Sequence, residues 1–132
     1  MAKGRRDYTW GVLQDTIQPG LYSSNFKYAQ SVTLAAGANG NAISYTVPDG
    51  YKLFLLGAIY TCKNPGTNMG VLGPGSGVDI VAYFDTRAEF NLGSYGGIPY
   101  SVPSILNVSF YNYDTEEQVF YAMIYGILEE LV

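Results

Sequence analysis

Residues 41–62 read NAISYTVPDGYKLFLLGAIYTC, and this stretch decides the fold class. Every second residue from 43 to 47 is β-branched or aromatic, which is typical of a half-buried β-strand. Residues 48–50, Pro-Asp-Gly, predict a turn, because proline presets φ and glycine accepts a positive φ. Residues 51–62 are apolar at both odd and even positions, which indicates a second strand that is covered on both faces.

Strict alternation divides that second strand into two faces. One face carries Leu53, Leu55 and Ile59, and the other carries Phe54, Leu56, Ala58 and Tyr60. A helix is disfavoured here, because the segment is rich in aromatic and β-branched residues and Gly57 would weaken a helix. Both faces therefore need cover from a second layer of the same chain or from a neighbouring subunit.

The rest of the chain repeats the same pattern of short strands and turns. Residues 78–86 and 105–114 alternate, residues 118–128 predict a last strand, and no stretch of ten or more residues has convincing helical periodicity. In residues 78–86 the predicted inward set is Val78, Ile80, Ala82 and Phe84. We expect an all-β fold, an antiparallel β-sandwich of jelly-roll type with about eight short strands.

At 132 residues we expect a single domain, 1–132, whose residues 1–7 form a flexible basic N-terminal arm. Lys3, Arg5 and Arg6 lie in this arm, and contact with nucleic acid or an acidic neighbour is the alternative interpretation. Residues 21–30 read as loop or weak strand.

Two connections are rich in glycine and proline, residues 63–77 and 93–104, and both are predicted to be irregular loops. Long loops often carry contacts, so six of their residues are candidate partner or ligand contacts: Asn64, Met69, Val71, Leu72, Tyr95 and Tyr100. A phosphate-binding loop is disfavoured, because no Gly-Lys-Ser/Thr and no helix follow the glycines.

The last strand, residues 118–128, is apolar on both faces. Phe120, Ile124 and Leu128 are predicted to lie in the core, and the opposite face is predicted to be an oligomer interface formed by Tyr121, Met123, Tyr125 and Ile127. The alternative is that residues 8–18 of the same chain cover this face.

Composition excludes several classes of function. Charged residues make up only 14% of the chain, against about 25% in typical soluble domains, which suggests a surface that is covered by assembly. The net charge of −4 argues against nucleic acid as the main partner. No run reaches the ~20 apolar residues of a membrane-spanning helix, and residues 1–8 show no secretory signal.

The sequence offers no convincing catalytic or cofactor site. Histidine is absent, which removes the commonest general base and metal ligand. The single cysteine, Cys62, is predicted to be a buried, unreactive thiol. Asp79, Asp85 and Glu89 are interpreted as outward charges, since no calcium-loop motif accompanies them. We therefore expect no enzyme activity, no cofactor and no metal site. A ligand-binding face built on tyrosines is the open alternative: Tyr83, Tyr95, Tyr100 and Tyr111.

Two pieces of the chain carry a resemblance to a known class. Residues 45–53, YTVPDGYKL, and the closing segment 112–126 resemble the opening strands and last hairpin of small jelly-roll virion proteins of phages and archaeal viruses, such as decoration, minor capsid and spike or fibre proteins. This resemblance implies a non-enzymatic viral structural protein, located in the virion. It also implies a homo-oligomer, most often a trimer, that contacts other capsid or tail proteins. A carbohydrate- or receptor-binding β-sandwich module is the alternative function.

Overall fold

The computed structural model describes residues 25–92 and 97–131, and within them the chain forms nine β-strands and no helix. The strands are β1 Phe26–Leu34, β2 Asn39–Thr46, β3 Tyr51–Cys62, β4 Asn68–Pro74, β5 Ile80–Phe84, β6 Arg87–Asn91, β7 Ile98–Ser101, β8 Ile105–Asn112 and β9 Gln118–Glu130. Among the described residues, then, no helix is long and apolar enough to cross a membrane.

The strands form two antiparallel sheets. The first sheet has the order β1-β9-β3-β6, and β7 also pairs with β3; the second has the order β2-β8-β4-β5. Because β6 pairs with residues 57–61 of β3 and β7 pairs with residues 52–55, the two short strands together form one edge. If β6 and β7 are counted as one strand, each sheet has four strands. The resulting order of eight strands is that of a jelly roll, which consists of two Greek keys. The predicted fold class is confirmed.

The core lies between the two sheets and is rich in aromatic rings. Phe110 of β8 and Phe120 of β9 stack with their ring centroids 4.7 Å apart, and the edge of Tyr60 packs at 5.2 Å from Phe110. Phe120 and Ile124 are fully buried and Leu128 packs against the core, as the sequence predicted. These contacts join the two sheets across the middle of the sandwich.

One β-bulge corrects the predicted faces of β3. The pairing with β9 shifts between Leu55 and Gly57, so Leu56 is an extra residue and the alternation changes parity there. Ala58 and Tyr60 are therefore buried on the same side as Leu55, and Ile59 faces outward with Phe54. Strict alternation had placed Ile59 on the side of Leu55, which is wrong because a bulge cannot be seen in a period-two pattern.

Two predicted loop assignments are also corrected. Strand β4 occupies half of the predicted loop 63–77, and β7 lies inside the predicted loop 93–104. In residues 21–30, for which loop and weak strand were both left open, strand β1 begins at Phe26. Val78 is 58% exposed instead of buried, because β5 begins only at Ile80. The predicted arm 1–7 and the predicted covering segment 8–18 lie outside the described residues.

The buried hydroxyl of Tyr60 leads to a first prediction. It has no hydrogen-bond partner within the described part of the chain, and burial raises its pKa above the ordinary value. Tyr60→Phe removes an unpaired polar atom, so we expect the free energy of unfolding to stay equal or rise by up to about 1–2 kcal/mol. Denaturant titration followed by circular dichroism measures this.

Tyr100→Phe is the matched control. The Tyr100 hydroxyl donates a 2.6 Å hydrogen bond to Asp79 Oδ2, so its removal should lower the free energy of unfolding by about 1–2 kcal/mol. If Tyr60→Phe destabilised the chain as much as Tyr100→Phe, the Tyr60 hydroxyl would have a partner after all.

Candidate functional site

The outward surface of the first sheet is apolar at its centre. Five side chains of β3 and β9 form it, and we call this surface the β9 face: Phe54, Ile59, Tyr121, Met123 and Ile127. Tyr121 is 45% exposed, and a shallow depression of about 490 Å³ lies between Tyr121, Met123 and Ile59. A sheet face that is bare in solution is expected to carry mostly polar residues, whereas here the centre is apolar and the polar Ser31 and Thr61 lie beside Tyr121.

Charged residues surround the β9 face. On the β6 edge Arg87 and Glu89 form an ion pair at 3.0 Å, and Lys27 lies on the β1 edge, across from Tyr125. At one end Lys52 lies opposite Glu129 in the β3–β9 register, and the Lys52 ammonium lies 5.2 Å from the centroid of the Phe54 ring. An apolar centre with a polar rim is the usual anatomy of a protein interface.

The four predicted interface residues all lie on the outward side of β9. Tyr121, Met123 and Ile127 belong to the β9 face, whereas Tyr125 is engaged within its own sheet. The Tyr125 hydroxyl donates to the Phe90 carbonyl at 3.4 Å, and its ring covers Gly57, where a Cβ would come within 2.4 Å of Tyr125 Cζ. Tyr125 therefore supports the sheet at the bulge and offers less surface to a partner than its neighbours do.

The six predicted loop contacts separate into three groups. Met69 and Val71 are half-buried on the outward side of β4, and Asn64 is exposed, with its backbone bonded to the Gln118 side chain. Leu72 is 0% exposed and Tyr100 only 3% exposed, so neither can contact a partner, and both predictions are corrected. Tyr95 lies outside the described residues.

Burial in the core explains both corrections. Leu72 faces inward from β4, a strand that the sequence did not predict, and Tyr100 faces inward from β7 beside Leu53. Desolvation by burial, and then the hydrogen bond to Asp79, raise the pKa of Tyr100 far above its ordinary value. Four tyrosines were candidates for a ligand-binding face. Two of them, Tyr83 and Tyr111, face outward from the second sheet.

The outward surface of the second sheet has a different chemistry. Beside the β4–β5 turn it contains a groove of about 330 Å³, which we call the polar groove; its polar lining comes from β2, β8 and the turn, namely Asn39, Asn41, Asn107, Ser109, Tyr111 and Ser76. Sequence reasoning did not single out its asparagines. The available signal was the run of polar residues at outward positions of two strands that are neighbours in the sheet: Asn39, Asn41 and Ser44 in β2, and Asn107, Ser109 and Tyr111 in β8.

Chemically reactive groups are scattered among the described residues. No group of three or more Cys, Asp or Glu within 25–92 and 97–131 could hold a metal ion. Cys62 is half-buried near the carbonyl oxygens of Asn64 and Asp85, and burial is the main cause of its raised pKa. The Asp79 carboxylate is bonded to Tyr100 and Glu89 to Arg87, so neither forms a pair of facing carboxylates.

No protein-family model and no curated protein sequence matches the chain. Among solved structures, the chain is similar to the mitogen from Yersinia pseudotuberculosis, with 10% identity over 77% of this chain and 86% of that one, at a TM-score of 0.49. It is also similar to a CBM4 carbohydrate-binding module, with 13% identity, coverage of 77% and 83%, and a TM-score of 0.38. A virus-like particle of the extra small virus of the giant freshwater prawn Macrobrachium rosenbergii shares 12% identity over 89% and 88%, at a TM-score of 0.32. At these values the likenesses say nothing about what this chain binds.

Proposed function

We propose that this chain is a structural subunit of a virus particle, of the phage or archaeal type that its sequence resembles, and that it assembles as a symmetric homo-oligomer through the β9 face. The proposal places it in the virion, beside other capsid or tail proteins, and assigns it no catalytic role. A trimer is the oligomer that the resemblance leads us to expect.

The apolar centre of the β9 face is the observation that carries the proposal. Ile59 and Met123 are cross-strand neighbours, and Tyr121 adjoins them in the next row of the sheet. Exposed to water, this surface would be a liability for a soluble chain, and a second copy that covers it would bury all three side chains. In a closed symmetric assembly every copy makes the same set of contacts, so the β9 face is covered in every copy alike.

The strand order agrees with this role. A double-sheet jelly roll is an architecture that viral capsid domains use, and lectin domains and cupins use it too. Topology therefore supports a capsid-type subunit without distinguishing it from a binding module. Charged residues make up only 14% of the chain. Because the centres of protein interfaces are poor in charged residues, this composition also supports a subunit that is in contact with other proteins.

The alternative function is a carbohydrate- or receptor-binding module, whose binding surface would lie on the second sheet. One of its predicted rings, Tyr100, is excluded by burial; of the two predicted tyrosines that face outward, Tyr111 lines the polar groove and Tyr83 lies outside it. In its favour stands the polar groove, which adjoins Tyr111. Since the two surfaces lie on different sheets, one protein can have both functions, and different variants test them.

Assembly is tested by light scattering after size exclusion over a dilution series, on the wild type and on Tyr121→Glu. The wild type should keep one oligomeric mass at micromolar concentrations, and negative-stain images should show closed symmetric particles. A carboxylate at position 121 would be buried without a partner, so self-association should weaken about a hundredfold or more.

Tyr83→Glu is the matched control, because Tyr83 is an exposed tyrosine on the other sheet. It should keep the wild-type mass. A wild type that is monomeric at every concentration, or a Tyr121→Glu variant that assembles as well as Tyr83→Glu does, would rule out the β9 face as the interface.

A further inference from the structure

The floor of the polar groove is formed by side chains of β2 and β8 that are joined to one another by hydrogen bonds, partly through Ser44 beside the groove. Ser44 donates to Asn107 Oδ1 at 2.7 Å, and Asn41 donates to Ser44 at 3.4 Å. Ser109 in turn donates to Asn41 Oδ1. Because each amide is oriented by its neighbours, the floor presents amide and hydroxyl groups in fixed positions, and a ligand would not have to order them.

The β4–β5 turn forms one wall of the groove, and it is tied to the floor. Asn107 Nδ2 donates to the Gly75 carbonyl at 2.8 Å, and the Gly75 amide donates to the Ile105 carbonyl at 2.7 Å. Gly73 allows the turn to fold this closely, since a Cβ there would lie 2.1 Å from the Gly77 carbonyl oxygen. The wall is therefore formed before any ligand arrives, as in most small-molecule sites.

The lining of the groove carries hydrogen-bonding groups and an aromatic ring but no charge. None of the residues that line it is Asp, Glu, Lys or Arg. Within the described residues the Asn39 amide and the Ser76 hydroxyl make no side-chain hydrogen bond, so both are open to a ligand. The Tyr111 ring, opposite Asn39 in the sheet, is held by a near-parallel contact with Tyr113 at 6.0 Å.

We propose that the polar groove binds a neutral oligosaccharide. Sugar hydroxyls both donate and accept hydrogen bonds, which suits side-chain amides, serine hydroxyls and the open Asn39 and Ser76 groups. The apolar face of a sugar ring packs against an aromatic side chain such as Tyr111. A groove of about 330 Å³ lies within the ~300–1,000 Å³ of small-ligand sites, and an uncharged lining selects against acidic and basic ligands.

This site is independent of the assembly proposal, because it lies on the second sheet and the β9 face lies on the first. In a closed assembly through the β9 face every copy would keep its groove turned away from the contact. Several weak sites would then bind a multivalent glycan surface together, with an avidity well above that of one groove.

The test is a glycan array probed with the full chain, followed by isothermal titration of the best neutral oligosaccharide. We expect binding to neutral glycans, and we expect Asn39→Ala and Tyr111→Ala each to weaken it about tenfold, which corresponds to about 1.4 kcal/mol. Asn39 is exposed, so Asn39→Ala keeps the test valid if Tyr111→Ala folds poorly. Tyr83→Ala, on the same sheet surface but outside the groove, should stay within about twofold of the wild type.

The Tyr121→Glu variant separates the two proposals. It should bind a monovalent oligosaccharide as the wild type does, whatever its mass. The glycan proposal is overturned if the wild type binds no neutral glycan on the array, if it binds only sialylated or sulfated ones, or if Tyr83→Ala loses as much affinity as Tyr111→Ala. None of these results bears on whether the chain assembles.

Discussion

Asn112→Ala is expected to lower the free energy of unfolding by about 3 kcal/mol, one of the two largest losses that we expect from a single substitution. The Asn112 side chain, only 1% exposed, lies where two turns meet at the end of β8. Its amide nitrogen donates to the carbonyls of Leu34, Ala35 and Glu116, and its oxygen accepts from the Asp114 amide. Alanine would remove all four hydrogen bonds; the Ala35 carbonyl would keep the Ala38 amide as its donor, whereas the Asp114 amide would lose the side-chain acceptor that orders the turn after β8.

Asn112→Asp distinguishes lost hydrogen bonds from lost volume. Aspartate has nearly the same shape but no N–H, so it would point oxygens at three carbonyl oxygens and should destabilise at least as much as alanine. The control is Asn107→Ala on the same strand, which leaves mostly water-accessible groups and should cost about 1 kcal/mol. Denaturant titrations at one fixed protein concentration measure all three. Equal losses for Asn112→Ala and Asn107→Ala would contradict the prediction.

Gly126→Ala is expected to cost at least about 3 kcal/mol, because the position has no room for a methyl group. A Cβ on Gly126 would lie 2.1 Å from the Phe54 carbonyl oxygen and 3.1 Å from Leu55 Cα. Both atoms belong to the backbone of β3, which is paired on both sides, so neither can move away as a side chain would. The β3–β9 pairing must therefore separate next to the bulge.

Gly40→Ala is the control for this substitution. Gly40 also lies within a strand, but its Cβ would meet only Leu34 Cδ2, at 3.1 Å, and a methyl group at the end of a side chain can shift. We expect a change within about 1 kcal/mol, measured by the same titration. If Gly126→Ala were as mild as Gly40→Ala, the close approach of β9 to β3 at the bulge would not be required for the fold.

Regular alternation accounts for what could be predicted of the fold. Alternation in residues 105–114 predicts that Leu106, Val108 and Phe110 face inward and that Asn107 and Ser109 face outward, and β8 has all five on those sides. Each of these assignments depends only on the two-residue period of a strand, which is local in sequence. The same period placed Tyr121 and Met123 on the outward side of β9, so most of the β9 face was visible in the sequence.

Irregular positions account for what could not be predicted. Ile59 joins the β9 face only because Leu56 is an extra residue opposite β9, and a bulge depends on the partner strand. Leu72 and Tyr100 lie in segments dense in glycine and proline, which locally favour loops. They are buried because β4 pairs with β5 and β8, and because β7 pairs with β3. Such pairings join residues that are distant in the chain.

The sequence alone determined that this is an all-β sandwich with a two-faced apolar last strand and no histidine chemistry. Those properties follow from composition and from a local period. Only the tertiary structure decided which side of β3 faces outward after the bulge and which tyrosines stay exposed. It also brought the asparagines of β2 and β8 together in one groove, more than 60 residues apart in sequence. The physical reason is that pairing between distant strands fixes register and parity, and no short window of sequence contains both partners.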